Sequence, residues 1–184
     1  MTNTTVGAGM IASAALHVIR GTEVEIDRQA RALQKGQRPR VLWLTAPPGV
    51  EKSAIARLVE KKLYSFGRHT YILDENSEKL GNSVAGMARI LTDAGLIVLI
   101  AVETPLRKQR DSGRELFAPE EFVEIFLDAP AGTGERPANQ FKPPENAEIT
   151  IAAAGSSAEE LAERIVTELY GGLLAPDKLL GAGI

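Results

Sequence analysis

From residue 41 onward, short apolar runs alternate with amphipathic stretches. VLWLTA (41–46), HTYILD (69–74), LIVLIA (96–101), FVEIFLD (122–128) and EITIAA (148–153) are brief, rich in β-branched residues and bounded by turn residues. That pattern predicts strands, and the most continuously apolar runs predict strands buried on both faces. Between them, SAIARLVEKKLYSFG (53–67), NSVAGMARILTDAG (82–95), TPLRKQRDSGRELF (104–117) and SSAEELAERIVTELYG (156–171) carry helical spacing. Gly67 and Gly95 end the first two, and Pro105 suits the first position of the third. Ser156 and Ser157 ahead of Glu159 and Glu160 predict a well-capped fourth. A helix is also predicted over 22–35, with Thr22 and Glu25 at capping-box spacing and Gly36 closing it. Residues 129–147, APAGTGERPANQFKPPENA, have no period and predict a long loop.

Five strands interleaved with helices imply an α/β fold, a parallel sheet joined by right-handed crossovers. Residues 1–20 read as a tail or the end of a preceding domain, 21–40 as a linker helix, 41–172 as the folded body and 173–184 as a C-terminal tail. At 184 residues the chain holds one domain with a substantial core.

Composition narrows the chemistry. The absence of cysteine excludes a disulfide scaffold, a thiolate zinc site, an iron–sulfur cluster and a cysteine nucleophile. A net charge of -3 gives no electrostatic footprint for nucleic acid. The N-terminus lacks a basic segment before its apolar stretch, and no run reaches the roughly 20 apolar residues of a membrane span. A soluble cytoplasmic protein with neither membrane nor nucleic-acid partner is expected. No His/Asp/Glu cluster has metal-ligand spacing, so no metal site is expected.

In parallel sheets ligands bind beyond the carboxyl ends of the strands, which directs attention to the first strand-to-helix loop. Ala46-Pro47-Pro48-Gly49-Val50-Glu51-Lys52-Ser53 stands where a P-loop would stand. In a P-loop, glycines let backbone N–H groups wrap phosphates, while the lysine and the hydroxyl serve phosphate and Mg²⁺. Gly49, Lys52 and Ser53 are present, but Ala46 and Glu51 replace the two defining glycines. A carboxylate at 51 would repel a bound phosphate by about 4 kcal/mol at ~4 Å and an effective dielectric of ~20. It would also suit the positive end of a helix, by about 0.3–1 kcal/mol. Glu51 therefore either takes in cis the electrostatic role of a phosphate or marks an eroded loop.

The first strand and its loop, then LVEKKLYSFGRHTYILDEN, LTDAGLIVLIAVETPLRKQRDSGRELF, EFVEIFLDAP and KPPENAEITI resemble adenylylsulfate (APS) kinase in order and spacing across about residues 38–172. The opening TNTTVGAGMI resembles the last segment of the GTPase subunit of sulfate adenylyltransferase, which in many bacteria is fused to an APS kinase. The resemblance implies the P-loop kinase fold, three layers of α/β/α around a five-stranded parallel sheet. It implies transfer of the ATP γ-phosphate to the 3′-hydroxyl of APS, with ATP and Mg²⁺ as cofactors of any activity that survives. The implied partners are the upstream sulfate adenylyltransferase GTPase domain, its partner subunit and a second copy in a homodimer.

Position by position, the resemblance makes Lys52 the phosphate lysine and Ser53 the magnesium hydroxyl. Asp74 keeps a family carboxylate after the second strand, whereas Asn76 replaces the second carboxylate, and an amide can neither accept a proton nor neutralise Mg²⁺ as a carboxylate does. Lys79 stands near a family arginine. The Ser-Pro-aromatic-Arg motif survives as Thr104-Pro105-Leu106-Arg107, so Arg107 and Arg110 persist without the stacking aromatic. A Phe-, Arg- and Asn-containing segment that holds APS is missing after Asn82, and a lysine-rich lid between Asp128 and Lys142 is reduced to APAGTGERPANQF. Because phosphoryl transfer depends on positioning and charge stabilisation, these joint losses predict a catalytically degenerate domain with a structural, assembly or regulatory role. An active but divergent kinase and a module sensing PAPS or APS are the alternatives.

Other residues have a bland reading beside the functional one. Arg107, Arg110 and Arg114 share nearly one helical face, as an inherited anion site or a solvated surface. Trp43 is expected in the core rather than as a base-stacking platform. His69 is expected to be structural rather than catalytic.

Overall fold

The computed structural model describes residues 26–78, 83–104, 106–130 and 141–173. The predicted tail over 1–20, the predicted tail over 173–184 apart from its first residue, the Thr22–Glu25 capping box, Lys79 and Pro105 lie outside the described residues. Five strands form one parallel sheet: β1 (Arg40–Thr45), β2 (Thr70–Leu73), β3 (Ile97–Ile100), β4 (Phe122–Asp128) and β5 (Ile149–Ala152). The order is β2-β3-β1-β4-β5, with every neighbour pair parallel. β1 is central and wholly buried, as its unbroken apolar run predicts.

Alternation along the strands separates two cores. Leu42 and Leu44 of β1 face one side with Leu99, Ile125 and Ile151, where α2 (Lys52–Ser65) and α6 (Ala158–Glu168) cover them. Val41 and Trp43 face the other side with Val98, Ile100 and Phe122, beneath α4 (Val84–Asp93) and α5 (Arg107–Arg114). The result is the expected three-layer α/β/α arrangement.

Local chemistry sets the helix boundaries. Ser157 accepts the Glu160 N–H at 3.2 Å, and the Glu160 carboxylate accepts the Ser157 N–H at 2.9 Å, forming the predicted capping box of α6. Two helices are shorter than their patterns suggest. The N-terminal α1 (Arg28–Gln34) starts only after Asp27, whose carboxylate accepts the Ala30 N–H at 2.8 Å. α5 starts at Arg107 behind Leu106 rather than at Pro105. A single helical turn, α3 (Glu75–Glu78), was not predicted; Asp74 opens it by accepting the Asn76 N–H.

Residues 36–40 belong to the folded body. The Gln37 side chain is 5% exposed, donates to the carbonyls of His69 and Gly95, and accepts the His69 N–H at 2.9 Å. One amide thereby ties the entrances of β2 and β3. His69 is held through its main chain, which matches its structural reading. Gly95 has φ +89°, and a Cβ there would lie 3.0 Å from the Arg31 carbonyl, so glycine permits both the turn and the close approach of α1. Among the described residues no helix is long and apolar enough to cross a membrane.

Candidate functional site

β1 and β3 are adjacent and parallel, so the segments leaving their carboxyl ends lie side by side. Residues 46–51 follow β1 and residues 101–104 follow β3. Gly49 has φ 96°, a left-handed conformation that glycine adopts without strain. Ala46 is buried, with 6% exposure. Pro47 and Pro48 carry no backbone N–H. The Val50 N–H turns back to the Pro47 carbonyl at 3.4 Å, and the Lys52 N–H donates to the Val50 carbonyl at 2.9 Å. Glu51, at φ -76° and ψ 70°, is the central residue of that inverse γ-turn. In this loop two residues cannot donate, and two of the following amides are bonded to the loop's own carbonyls.

The side chains that complete the motif also have internal partners. Lys52 is 4% exposed, and its Nζ lies 2.6 Å from Glu103 Oε1. Ser53 Oγ donates to Glu75 Oε2 at 3.2 Å and lies 3.4 Å from the Ala101 carbonyl. Glu51 is exposed and makes no side-chain cap bond. The reading in which Glu51 supplies an anion in cis is therefore corrected: the carboxylate facing Lys52 belongs to Glu103. Glu51 is the N-cap of α2, its carbonyl accepting the Ala54 and Ile55 N–H groups while its carboxylate faces solvent.

Asp74 is oriented by Arg57, whose Nη2 donates to Oδ2 at 3.0 Å, while Oδ1 accepts the Asn76 N–H. Asp74 and Asn76 sit at the end of β2 and Glu75 reaches back to Ser53, so this corner does join the first loop.

The arginines of α5 occupy a separate, acidic setting. Arg110 is 1% exposed; its Nε lies 2.8 Å from Glu124 Oε1, and Nη1 and Nη2 donate to the carbonyls of Thr104 and Lys142. Burial lowers its pKa, and the Glu124 charge and hydrogen bond oppose that shift. Arg114 forks onto Glu148 at 2.6 and 3.0 Å and lies over the Phe122 ring. The hydrogen bond to Glu148 raises its pKa against the cost of burial. Burial works against ionisation of Glu148, yet the bonds from Arg114 and the Glu124 N–H outweigh it and hold its carboxyl below the ordinary glutamate range. Arg107 binds Glu145 and the Pro143 carbonyl. The solvated-face reading fails at Arg110, which is buried, and each member of the proposed anion site has a carboxylate of this chain as its partner. Those carboxylates come from β4 and from the segment before β5, which the helical spacing of the arginines does not reveal.

A cleft of about 510 Å³ opens between the start of α4 and α5, lined by Trp43, Ser83, Thr104, Gln109 and Gly113. Trp43 forms its floor, 3% exposed, with Nε1 donating to Thr104 Oγ1 at 3.2 Å. It is a core residue, as expected, with one edge at this cleft. A Cβ on Gly113 would lie 2.8 Å from the indole, so glycine allows α5 to approach it.

The profile of the adenylylsulphate kinase family matches residues 75–141. An adenylyl-sulfate kinase of Aeromonas hydrophila is 33% identical, over 78% of this chain and 91% of its own length. The chain belongs to the adenylylsulfate kinase family. It is also 34% identical to the bifunctional enzyme CysN/CysC of Xylella fastidiosa, over 91% of this chain and 33% of that protein. The chain thus spans about a third of the length of that bifunctional relative. The structure of the APS kinase CysC of Mycobacterium tuberculosis, 26% identical, superposes with a TM-score of 0.58 over 72% of this chain and 98% of that one. The fold is that of the P-loop kinase-like adenylylsulfate kinases.

Proposed function

We propose that this adenylylsulfate kinase-like domain is catalytically degenerate and serves a structural or regulatory role in a sulfate-activation protein. The observation that carries the reading is the loop over residues 46–51. A phosphate cradle needs successive N–H groups aimed at one anion. Here Pro47 and Pro48 have none, and the Val50 and Lys52 amides are bonded to loop carbonyls. These residues do not fit ATP with Mg²⁺, the cofactors of adenylylsulfate kinases. Asn76 in place of a carboxylate adds to the same reading. By likeness to the bifunctional relatives, the domain's partners are an upstream sulfate adenylyltransferase GTPase domain and that enzyme's other subunit, with a second copy in a homodimer. The proposed division has 1–20 as the end of the upstream domain, 21–40 as a linker helix whose last residues join the body, 41–172 as the kinase-like body and 173–184 as a tail.

The test supplies the chain with APS, Mg²⁺ and γ-labelled ATP and follows label in PAPS. No enzyme-dependent transfer is expected. Transfer lost on Lys52→Met would instead establish an active divergent kinase using Lys52, Ser53, Asp74 and Arg107.

A second reading, a module that binds APS or PAPS without turnover, would place its ligand in the cleft beside Trp43. The cleft's described lining carries no charged side chain, which weighs against a dianionic ligand. Thermal denaturation with ATP, APS and PAPS separates the two. A ligand at 100 times its Kd stabilises by about 2.7 kcal/mol, whereas a purely structural domain shows no shift.

A further inference from the structure

We propose that Glu103 is a specificity-determining residue that occupies Lys52 and thereby excludes polyphosphate from this site. A lysine with 4% exposure must be paired, because an isolated buried ammonium is strongly disfavoured. Among the described residues, the carboxylate on its Nζ is that of Glu103, at 2.6 Å, with a side chain one-third exposed. The pairing follows from topology: β1 and β3 are register neighbours, and Glu103 lies three residues past the end of β3, alongside the start of α2. Ser53, the adjoining hydroxyl, is met by a second carboxylate, Glu75, at 3.2 Å. The two side chains of the motif that would address phosphate and metal are thus each answered by an acid of this chain.

An incoming phosphate faces two electrostatic obstacles. It must displace a carboxylate tethered at high effective concentration, and then remain beside that carboxylate's negative charge. The inference rests on the reading of residues 46–53 as a phosphate site by descent. It differs from the proposed function in assigning exclusion to Glu103 in addition to the loop backbone.

The test measures tripolyphosphate and ATP binding by calorimetry for the chain, for Glu103→Ser and for Glu103→Ser/Lys52→Met. The unaltered chain is expected to show no saturable binding at about 1 mM ligand, whereas Glu103→Ser gains affinity by about tenfold or more. The double variant is expected to lose that gain. Equal binding by the chain and Glu103→Ser would overturn the proposal and leave exclusion to the loop alone. A gain that persists in the double variant would also overturn it, since Lys52 would not be the group released. If Glu103→Ser does not fold, Glu103→Gln takes its place. A measurement on the unaltered chain is independent of either variant: Lys52 acylation, followed by peptide mapping, is expected to be unchanged by 5 mM tripolyphosphate, roughly the millimolar range of weak binding. Protection of Lys52 by that ligand would contradict the proposal. Failure of the functional reading is separately visible as PAPS formation.

Discussion

Arg110 and Glu124 form an ion pair 2.8 Å long, with side chains 1% and 7% exposed, joining α5 to β4. Around it, Thr45 Oγ1 donates to Glu124 Oε1 at 2.8 Å, and Arg110 Nη2 donates to the Lys142 carbonyl at 2.6 Å. The pair thus pins the end of β1, the helix after β3 and the segment before β5 in one place. Its desolvation cost is offset only while both partners and their hydrogen bonds are present. Arg110→Met is expected to cost about 3–5 kcal/mol in urea unfolding, because it leaves Glu124 buried without its nearest cation. Arg110→Met with Glu124→Leu is expected to recover much of that loss. Equal costs for the single and double variants would show that the pair itself, rather than a stranded charge, sets the stability.

Acid should weaken the neighbouring contact between Arg114 and Glu148. The folded state holds the Glu148 carboxyl below its ordinary value, so its contribution is fully present above the unfolded pKa and is lost as pH falls through the folded one. Glu148→Gln is expected to lower the melting temperature at pH 7. The gap between variant and parent should narrow below about pH 4.5, the ordinary glutamate value. A gap that stays constant down to pH 3 would contradict this assignment.

Gly113 is where α5 meets the indole of Trp43. A methyl group there would lie 2.8 and 2.9 Å from two ring carbons, and that ring is held in the core. Gly113→Ala gains helix propensity of up to about 1 kcal/mol but forces repacking that typically costs about 1–3 kcal/mol. Net destabilisation with a shifted fluorescence maximum is expected, and the chain's single tryptophan makes that signal specific. Unchanged emission and stability would mean that α5 moves away at no cost.

The sequence pattern disclosed the strands and most helices because each depends on local periodicity: VLWLTA is apolar throughout, and Ser157 and Glu160 cap each other within one turn. Lys52 and Ser53 were legible as a candidate motif because they adjoin in one short segment after β1. Their partners were not. Glu103 lies 51 positions from Lys52 and reaches it only because β3 pairs with β1. Arg107, Arg110 and Arg114 share a helix face that the spacing reveals, but Glu124, Glu145 and Glu148 arrive from segments whose placement depends on β4 and β5. Gln37, in a predicted linker, is an ordinary polar residue by type, and only the tertiary structure puts its amide between the entrances of β2 and β3. Charge pairing across the sheet is a tertiary property, which residue types and spacing alone do not display.

We propose that the loop over residues 46–51 does not support phosphoryl transfer. The most direct test is the formation of labelled PAPS from APS and γ-labelled ATP with Mg²⁺, comparing the chain with Lys52→Met. The same background is expected for both. PAPS formation by the chain that falls on Lys52→Met would contradict it.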